Sequence, residues 1–433
     1  MSPPTLSAPR PAARRAPARD GGALVPHRLL CRECGADYPA QPSAICEACL
    51  GPLEPRYDPA RRLPTGEEIA ARAPSLWRYR EWLPFTGAPR FSSDTGFTPL
   101  FEAPHLAELL GVARLWIKND AVCHPTLSFK DRVVAVAINA AAAFGCDTIA
   151  CASTGNLANA VAAHAARAGI PAWIFVPEDL EPAKITASVV YGARVVRVRG
   201  TYDDVNRLAS QAADRFGWGV VNVNLRSYYG EGSKSVGFEI AEQLGWRLPT
   251  AVVVPMAGGS LITRIAKGFR EFIAAGLVAG SLPRLYGAQA EGCAPIVRAL
   301  RPGGEISLRP EVPNTIARSL AIGNPADGLY AARVIRESGG AGVAVSDEQL
   351  AEGIAALAHE AGVFTETAGG VTVAAAFALS FEGELTPEDE VVLCITGNGL
   401  KTPDAVPARL LETAVIAPRI GEVAALAREA GAV

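Results

Sequence analysis

Between Thr148 and Pro255 short apolar runs alternate with helix-length segments, and this alternation limits what the chain can become more than any other feature. TIACA, PAWIFVP, ARVVRVRG and AVVVP are short, rich in β-branched residues and bounded by turn residues. Between them lie an alanine-rich stretch, LANAVAAHAARAG, and a polar-faced one, TYDDVNRLASQAADRFG. Strands separated by helices run parallel, and parallel sheets are covered by helices on both faces. The class expected is α/β with doubly wound parallel sheets. A chain of 433 residues is longer than the roughly 250–300 at which a single core splits, so two or more domains are expected.

The amino-terminal region is organised differently. Residues 1–25 are rich in Pro, Ala and Arg without periodicity and read as a disordered arm. Cys31, Cys34, Cys46 and Cys49 then form two CxxC knuckles within residues 26–56. Each knuckle presents two thiolates from a tight turn, and two knuckles close a tetrahedral zinc site with no position left for water. The metal expected is therefore structural Zn. Residues 57–96 read as a linker with a short helix near Ser75–Trp82 and an aromatic cluster of Trp77, Tyr79, Trp82 and Phe85. Cys123, Cys146, Cys151, Cys293 and Cys394 are scattered through apolar stretches, which points to a reducing cytoplasm. A formal net charge of −3 gives no electrostatic argument for nucleic acid or an anionic membrane. No apolar run reaches the roughly 18 residues of a spanning helix.

Four segments carry chemistry. In HPTLSFKDR, His124–Arg132, the Lys130 amine can form a Schiff base with an aldehyde cofactor, or can simply begin a charged helix face. Ser153, Thr154, Gly155 and Asn156 make a polar turn between a strand and a helix, where amides and hydroxyls bind an anion or where Ser153 or Thr154 merely caps the helix. Ala257, Gly258, Gly259, Ser260 and Leu261 again join strand to helix, and glycines there let a phosphate approach the backbone; the pattern is common and is neither a GxGxxG fingerprint nor a Walker loop. Last, a buried strand ends at Thr396, followed by Gly-Asn-Gly and Lys401. Glu366 opens a helix, as a first-turn carboxylate or as a pocket group. Asn224 and Arg226 follow another strand, either reaching a substrate or lying in a solvated loop.

HPTLSFKDR, STGN, TIARSLAIGNP and TGNGLK occur in the order seen in the threonine synthase family, which the chain resembles from about Leu30 to Lys401. These are pyridoxal 5'-phosphate enzymes of fold type II in the tryptophan synthase β-like superfamily, and some carry a short amino-terminal zinc ribbon. The resemblance implies a catalytic region over 97–401, with a small domain of approximately 125–225 inserted in a larger one, the cofactor in the cleft, and a packing tail over 402–433. It implies Lys130 as cofactor lysine and Asn156 facing the cofactor's phenolic oxygen. Ser153 and Thr154 would hold the substrate α-carboxylate, Ala257–Leu261 the cofactor phosphate, and Thr396 would face the pyridine nitrogen. A neutral hydroxyl there leaves that nitrogen largely unprotonated and favours elimination and replacement over transamination. The implied reaction removes phosphate from O-phosphohomoserine and adds water to give L-threonine, in amino-acid biosynthesis, by a cytoplasmic homodimer whose partner is a small amino-acid substrate.

The substrate half departs from that pattern. His124 and Leu127 stand where relatives carry Asn and Gly, Leu157 where Thr is common, and Asn159 where a small residue is common. Apolar side chains there narrow a pocket and remove hydroxyl donors for a phosphorylated substrate. Three readings follow: a threonine synthase; a related β-replacement synthase or lyase, cysteate synthase-like, with an altered pocket; and a zinc-ribbon scaffold with a decayed catalytic domain. Intact Lys130, Asn156 and Thr396 argue against the third.

Overall fold

A computed structural model describes residues 23–430 apart from 26, 179, 181, 201 and 301–303, without the side chains of 182–184 and 202–203. The arm expected over 1–25 lies outside the described residues except for Ala23–Val25, which run beside Pro84–Thr86 through Val25 N–H to Pro84 O (3.1 Å) and Thr86 N–H to Ala23 O (2.9 Å).

Thirteen strands follow along the described chain. β1 (His27–Cys31), β2 (Asp37–Pro39) and β3 (Leu53–Tyr57) form a small antiparallel sheet in the order β2-β1-β3. β4 (Leu100–Glu102) and β5 (Arg114–Asn119) begin a large sheet. The chain then leaves it to build β6 (Ile149–Ala152), β7 (Ala172–Pro177), β8 (Arg194–Val198) and β9 (Gly219–Val220), a parallel sheet ordered β8-β7-β6-β9. It returns with β10 (Ala251–Pro255), β11 (Arg284–Ala290), β12 (Gly342–Val345) and β13 (Glu390–Ile395). The large sheet reads β12-β11-β10-β13-β5-β4, parallel except for β4 at its edge. The expected α/β class with parallel sheets is what the chain forms.

β10 and β13 are buried along nearly their whole length because helices cover both faces of the sheet. Helix Thr367–Phe381 packs on one face with Val253, Val391 and Leu393, while Ser260–Ala274 packs on the other with Val252, Val254 and Val392. Alternate strand residues point to opposite faces, so each strand feeds both cores. The small-residue helix Lys130–Ala143 buries Val133 through Ala141 and breaks at Gly145, whose φ of +78° suits glycine. The strand before Asn224 is only Gly219–Val220, because Asn224 turns back, accepting from Val220 N–H (2.8 Å) and donating to Trp218 O (3.0 Å). The tail ends in an exposed helix, Ile420–Glu429. No described helix is long and apolar enough to cross a membrane.

This topology positions the site. The segments carrying Lys130, Ala257–Leu261 and Thr396 follow β5, β10 and β13, which neighbour one another in the middle of the large sheet; Ser153–Asn156 follow β6. In open parallel sheets ligands bind outside the carboxyl ends of strands, where backbone groups are released from the ladder.

Candidate active site

Lys130 is the first residue of its helix, and the strap before it is tied to the loop after β13. Phe129 N–H donates to Thr396 O (2.9 Å), Asn398 N–H to Leu127 O (3.1 Å), and Ser128 bridges Gly397. Leu127 adopts a φ of +60°, a left-handed conformation that favours glycine. Two residues on, Arg132 is fully buried and grips Asp120 through Nε and Nη2, both at 2.8 Å. It also reaches Glu239, which accepts from Lys118 Nζ at 2.6 Å. Burial alone would raise the Glu239 carboxyl, but the Arg132 and Lys118 charges outweigh it and hold it down to about 2. Asp131, also buried, accepts from Thr126 N–H (2.9 Å) and Thr126 Oγ1 (2.8 Å) and faces His164 Nε2 at 3.2 Å. The root of Lys130 is thus fixed, while its Nζ emerges to meet Tyr229 Oη at 2.7 Å, 4.2 Å from the Phe129 ring centre.

In the turn after β6, Gly155 stands at the N-cap of helix Asn156–Ala168, and residues 153–156 are half-buried. Asn156 Nδ2 donates to both Glu366 oxygens at 2.9 Å. Glu366 occupies the N-cap of helix Thr367–Phe381 but makes no capping bond with its side chain, which is turned into the site. Of the two roles open to it in the sequence, the pocket is where it stands. Burial pushes its carboxyl up, against the Asn156 hydrogen bond and the charges of Lys401 and Lys130. A Cβ on Gly397 would fall on that carboxylate, so only glycine permits the approach.

After β10, Gly259 has a φ of +85°, and a Cβ there would lie 2.9 Å from Ala331 Cβ and Asp327 O. Beside Gly258 the space is open, the nearest atom to a Cβ being Ile322 Cδ1 at 3.9 Å. Among the described residues none of the amides of Ala257–Leu261 has a hydrogen-bond partner, and the helix starting at Ser260 adds its dipole. Five free amides at a helix start, around a glycine with open space, are the donor set a phosphate requires. Leu261 and Thr396 border one small crevice with Asp120 and Cys394. An amine on Lys130, free amides over 257–261 and a hydroxyl on Thr396 are the groups that would hold pyridoxal phosphate.

The structure brings Lys130, Thr396 and the Asn156 turn together, but not Asn224, whose amide is spent on its own loop. Arg226 pairs with Asp327 Oδ2 at 2.5 Å. Asp327 N–H in turn donates to Gly258 O (3.0 Å), so Arg226 acts on the cradle from behind. Sequence reasoning passed over Asp327 and Tyr229. The pair Tyr228-Tyr229 has no period that separates them; only the helix Arg226–Ser233 shows that Tyr228 faces the small sheet and Tyr229 the lysine.

The four knuckle sulfurs lie within 4.8 Å of one another, with Cys31–Cys49 at 3.4 Å and Cys34–Cys46 at 3.6 Å. Four Zn–S bonds of about 2.3 Å in a tetrahedron place sulfurs about 3.8 Å apart, so the cluster fits zinc. The same small sheet docks on helix Arg226–Ser233: Ser227 Oγ donates to Leu53 O (2.7 Å), and Glu54 meets Arg264 at 2.8 Å. Arg32, beside Cys31, lies 3.6 Å from Asp327.

Residues 91–397 match the family model described as pyridoxal-phosphate dependent enzyme. The chain is 36% identical to the threonine synthase of Methanosarcina acetivorans, over 88% of this chain and 93% of that one. It is 35% identical to the threonine synthase of Methanocaldococcus jannaschii, over 87% and 93%. Among solved structures it resembles threonine deaminase isoform 2 of Solanum lycopersicum, with TM-score 0.61 and 23% identity over 79% of this chain and 91% of that one. It also resembles maize serine racemase, with TM-score 0.58 and 21% identity over 70% and 90%. At these identities the two structural likenesses speak for the fold.

Proposed function

The chain belongs to the threonine synthase family of pyridoxal-phosphate dependent enzymes, and from that premise we propose that it eliminates phosphate from O-phosphohomoserine and adds water to give L-threonine. It is a pyridoxal-phosphate dependent lyase. The observation that carries the reading is the 36% identity over 93% of a threonine synthase; Lys130, Asn156, the free amides of 257–261 and Thr396 are the residues that support it.

Pyridoxal phosphate, when bound, supplies the electron sink that lets an amino acid release its Cα proton. The chain's residues do the rest. Lys130 would hold the cofactor, and its Nζ is the base that would take that proton. The amides and hydroxyls of Ser153–Asn156 orient the α-carboxylate at the start of a helix, which fixes the Cα–H bond relative to Lys130. Glu366 holds the Asn156 amide in place. The Ala257–Leu261 amides would bind the cofactor phosphate without a counter-charge, and a Thr396 hydroxyl facing the ring nitrogen would leave it neutral. We read the cysteine cluster as a structural zinc site, and the assembly as a cytoplasmic homodimer on the family resemblance alone.

One observation favours the β-replacement alternative. Arg226, a suitable donor for a substrate phosphate or carboxylate, is paired with Asp327. Incubating the purified protein with O-phosphohomoserine, O-phosphoserine and O-acetylserine separates the two. Phosphate release with threonine formation is expected from the first; turnover of only the other two would move the protein to the β-replacement class.

A further inference from the structure

The Lys130 amine makes one hydrogen bond among the described residues, to Tyr229 Oη at 2.7 Å. Tyr229 Oη has no other partner there, so its own O–H proton is uncommitted. Tyr228, one position earlier, is bound to the small sheet: its hydroxyl donates to Gln41 O (3.2 Å) and meets His27 Nε2 (3.1 Å). Tyr229 is half-buried and turned to Lys130 instead. The Phe129 ring lies 4.2 Å from Nζ, and among the described residues Tyr229 is the hydrogen-bond partner through which that nitrogen can exchange a proton.

We propose that Tyr229 is a catalytic proton relay, carrying the proton from Lys130 Nζ to the substrate's leaving group. The inference rests on the phosphohomoserine reading above and deepens it. Expulsion of a group from Cγ needs the electron pair of a Cβ–H bond. Lys130 takes the Cα proton, gives it up to the bound cofactor, and then takes a Cβ proton as that pair forms the Cβ–Cγ double bond; its ammonium passes one proton to Tyr229 Oη while the phenol gives its own O–H proton to the departing phosphate oxygen. The O–H bond to the leaving group forms as the Cγ–O bond breaks. Amine and phenol both return neutral, and nothing is oxidised or reduced. The lysine alone would have to move on from Cβ to the oxygen on Cγ, whereas the phenol hydrogen-bonded to it offers a second proton-carrying atom.

The test is the ratio of two rates measured on the holoenzyme with Cα-deuterated O-phosphohomoserine: loss of deuterium from recovered substrate and release of phosphate. Tyr229→Phe keeps the ring. It is expected to retain cofactor absorbance and to raise the exchange-to-release ratio about 100-fold, the low end of what a positioned proton donor contributes. An unchanged ratio overturns the proposal, whether both rates stay or both fall, because a residue that merely orients Lys130 moves them together. Independently of any variant, single-turnover phosphate release by the unmodified enzyme in mixed H2O and D2O should bow downward with deuterium fraction, as two protons in flight require; a straight line overturns it. If the unmodified enzyme releases no phosphate from this substrate, the functional reading itself fails and takes the relay with it, an outcome distinct from the other two.

Discussion

Asn156 Nδ2 lies 2.9 Å from each carboxylate oxygen of Glu366, joining the first helix of the smaller sheet to a helix packed on the larger one. The carboxylate is 3% exposed, and the hydrogen bond fixes which way the Asn156 amide faces. Burial raises the Glu366 pKa, so its charge costs stability: the contribution is most favourable below the ordinary carboxylate range of about 4 and is lost as pH rises through the elevated folded value. Glu366→Gln removes that cost and one acceptor. The expected variant melts no lower than the parent near neutral pH, loses the stability difference in acid, and turns over about 10-fold more slowly. Thermal melts across pH with parallel kinetics check it; a strongly destabilised variant would contradict the assignment.

Leu127 holds a left-handed φ of +60° on the strap that leads to Lys130. An ordinary side chain there costs roughly 1 kcal/mol, and a β-branched one more. Leu127→Gly should leave unfolding free energy within about 1 kcal/mol of the parent, since relief of strain offsets the entropy of glycine. Leu127→Val should lose more than about 1 kcal/mol. Denaturant titration of both variants measures the difference.

Arg32 joins the cysteine cluster to Asp327, and Asp327 holds Gly258 of the phosphate cradle. Removal of zinc by a chelator, or Cys34→Ser, should therefore weaken cofactor binding several-fold, although no knuckle residue lies in the crevice. Metal content and cofactor titration on the same samples give the answer. Equal cofactor affinity with and without metal would show that the small sheet only covers the surface.

The buried group Arg132, Asp120, Glu239 and Lys118 is stable only when complete. Arg132→Met strands two carboxylates away from water and should cost about 3–5 kcal/mol. Glu239, held down to about 2, contributes stability above the ordinary carboxylate range; the contribution is lost as pH falls through its folded value, on the order of 3 kcal/mol in total. Acid titration of unfolding should accordingly show a loss centred between about pH 4 and 2 in the parent that is absent in Arg132→Met.

Much of this was legible from residue order. Alternating strand and helix patterns imply parallel sheets through chain connectivity alone, and the glycine and polar turns at strand ends mark where backbone donors are free. The knuckle spacing is local too, because each CxxC turn closes within itself. The substrate side was harder to read. Asn224 resembled a pocket residue until its loop closed on its own amide, and Arg226 was a candidate cation until Asp327, far along the chain, arrived beside it.

By itself, then, the sequence determined the class of fold and the four-sulfur cluster, since period, turn chemistry and short-range ligand spacing are properties of neighbouring residues. Tertiary structure alone decided that Glu366 faces Asn156, that Tyr229 rather than Tyr228 meets Lys130, and that Arg226 is already partnered. Those outcomes depend on which side chains long crossovers bring within 3 Å in a buried space, and charge pairing there is settled by proximity and desolvation, which no local pattern encodes.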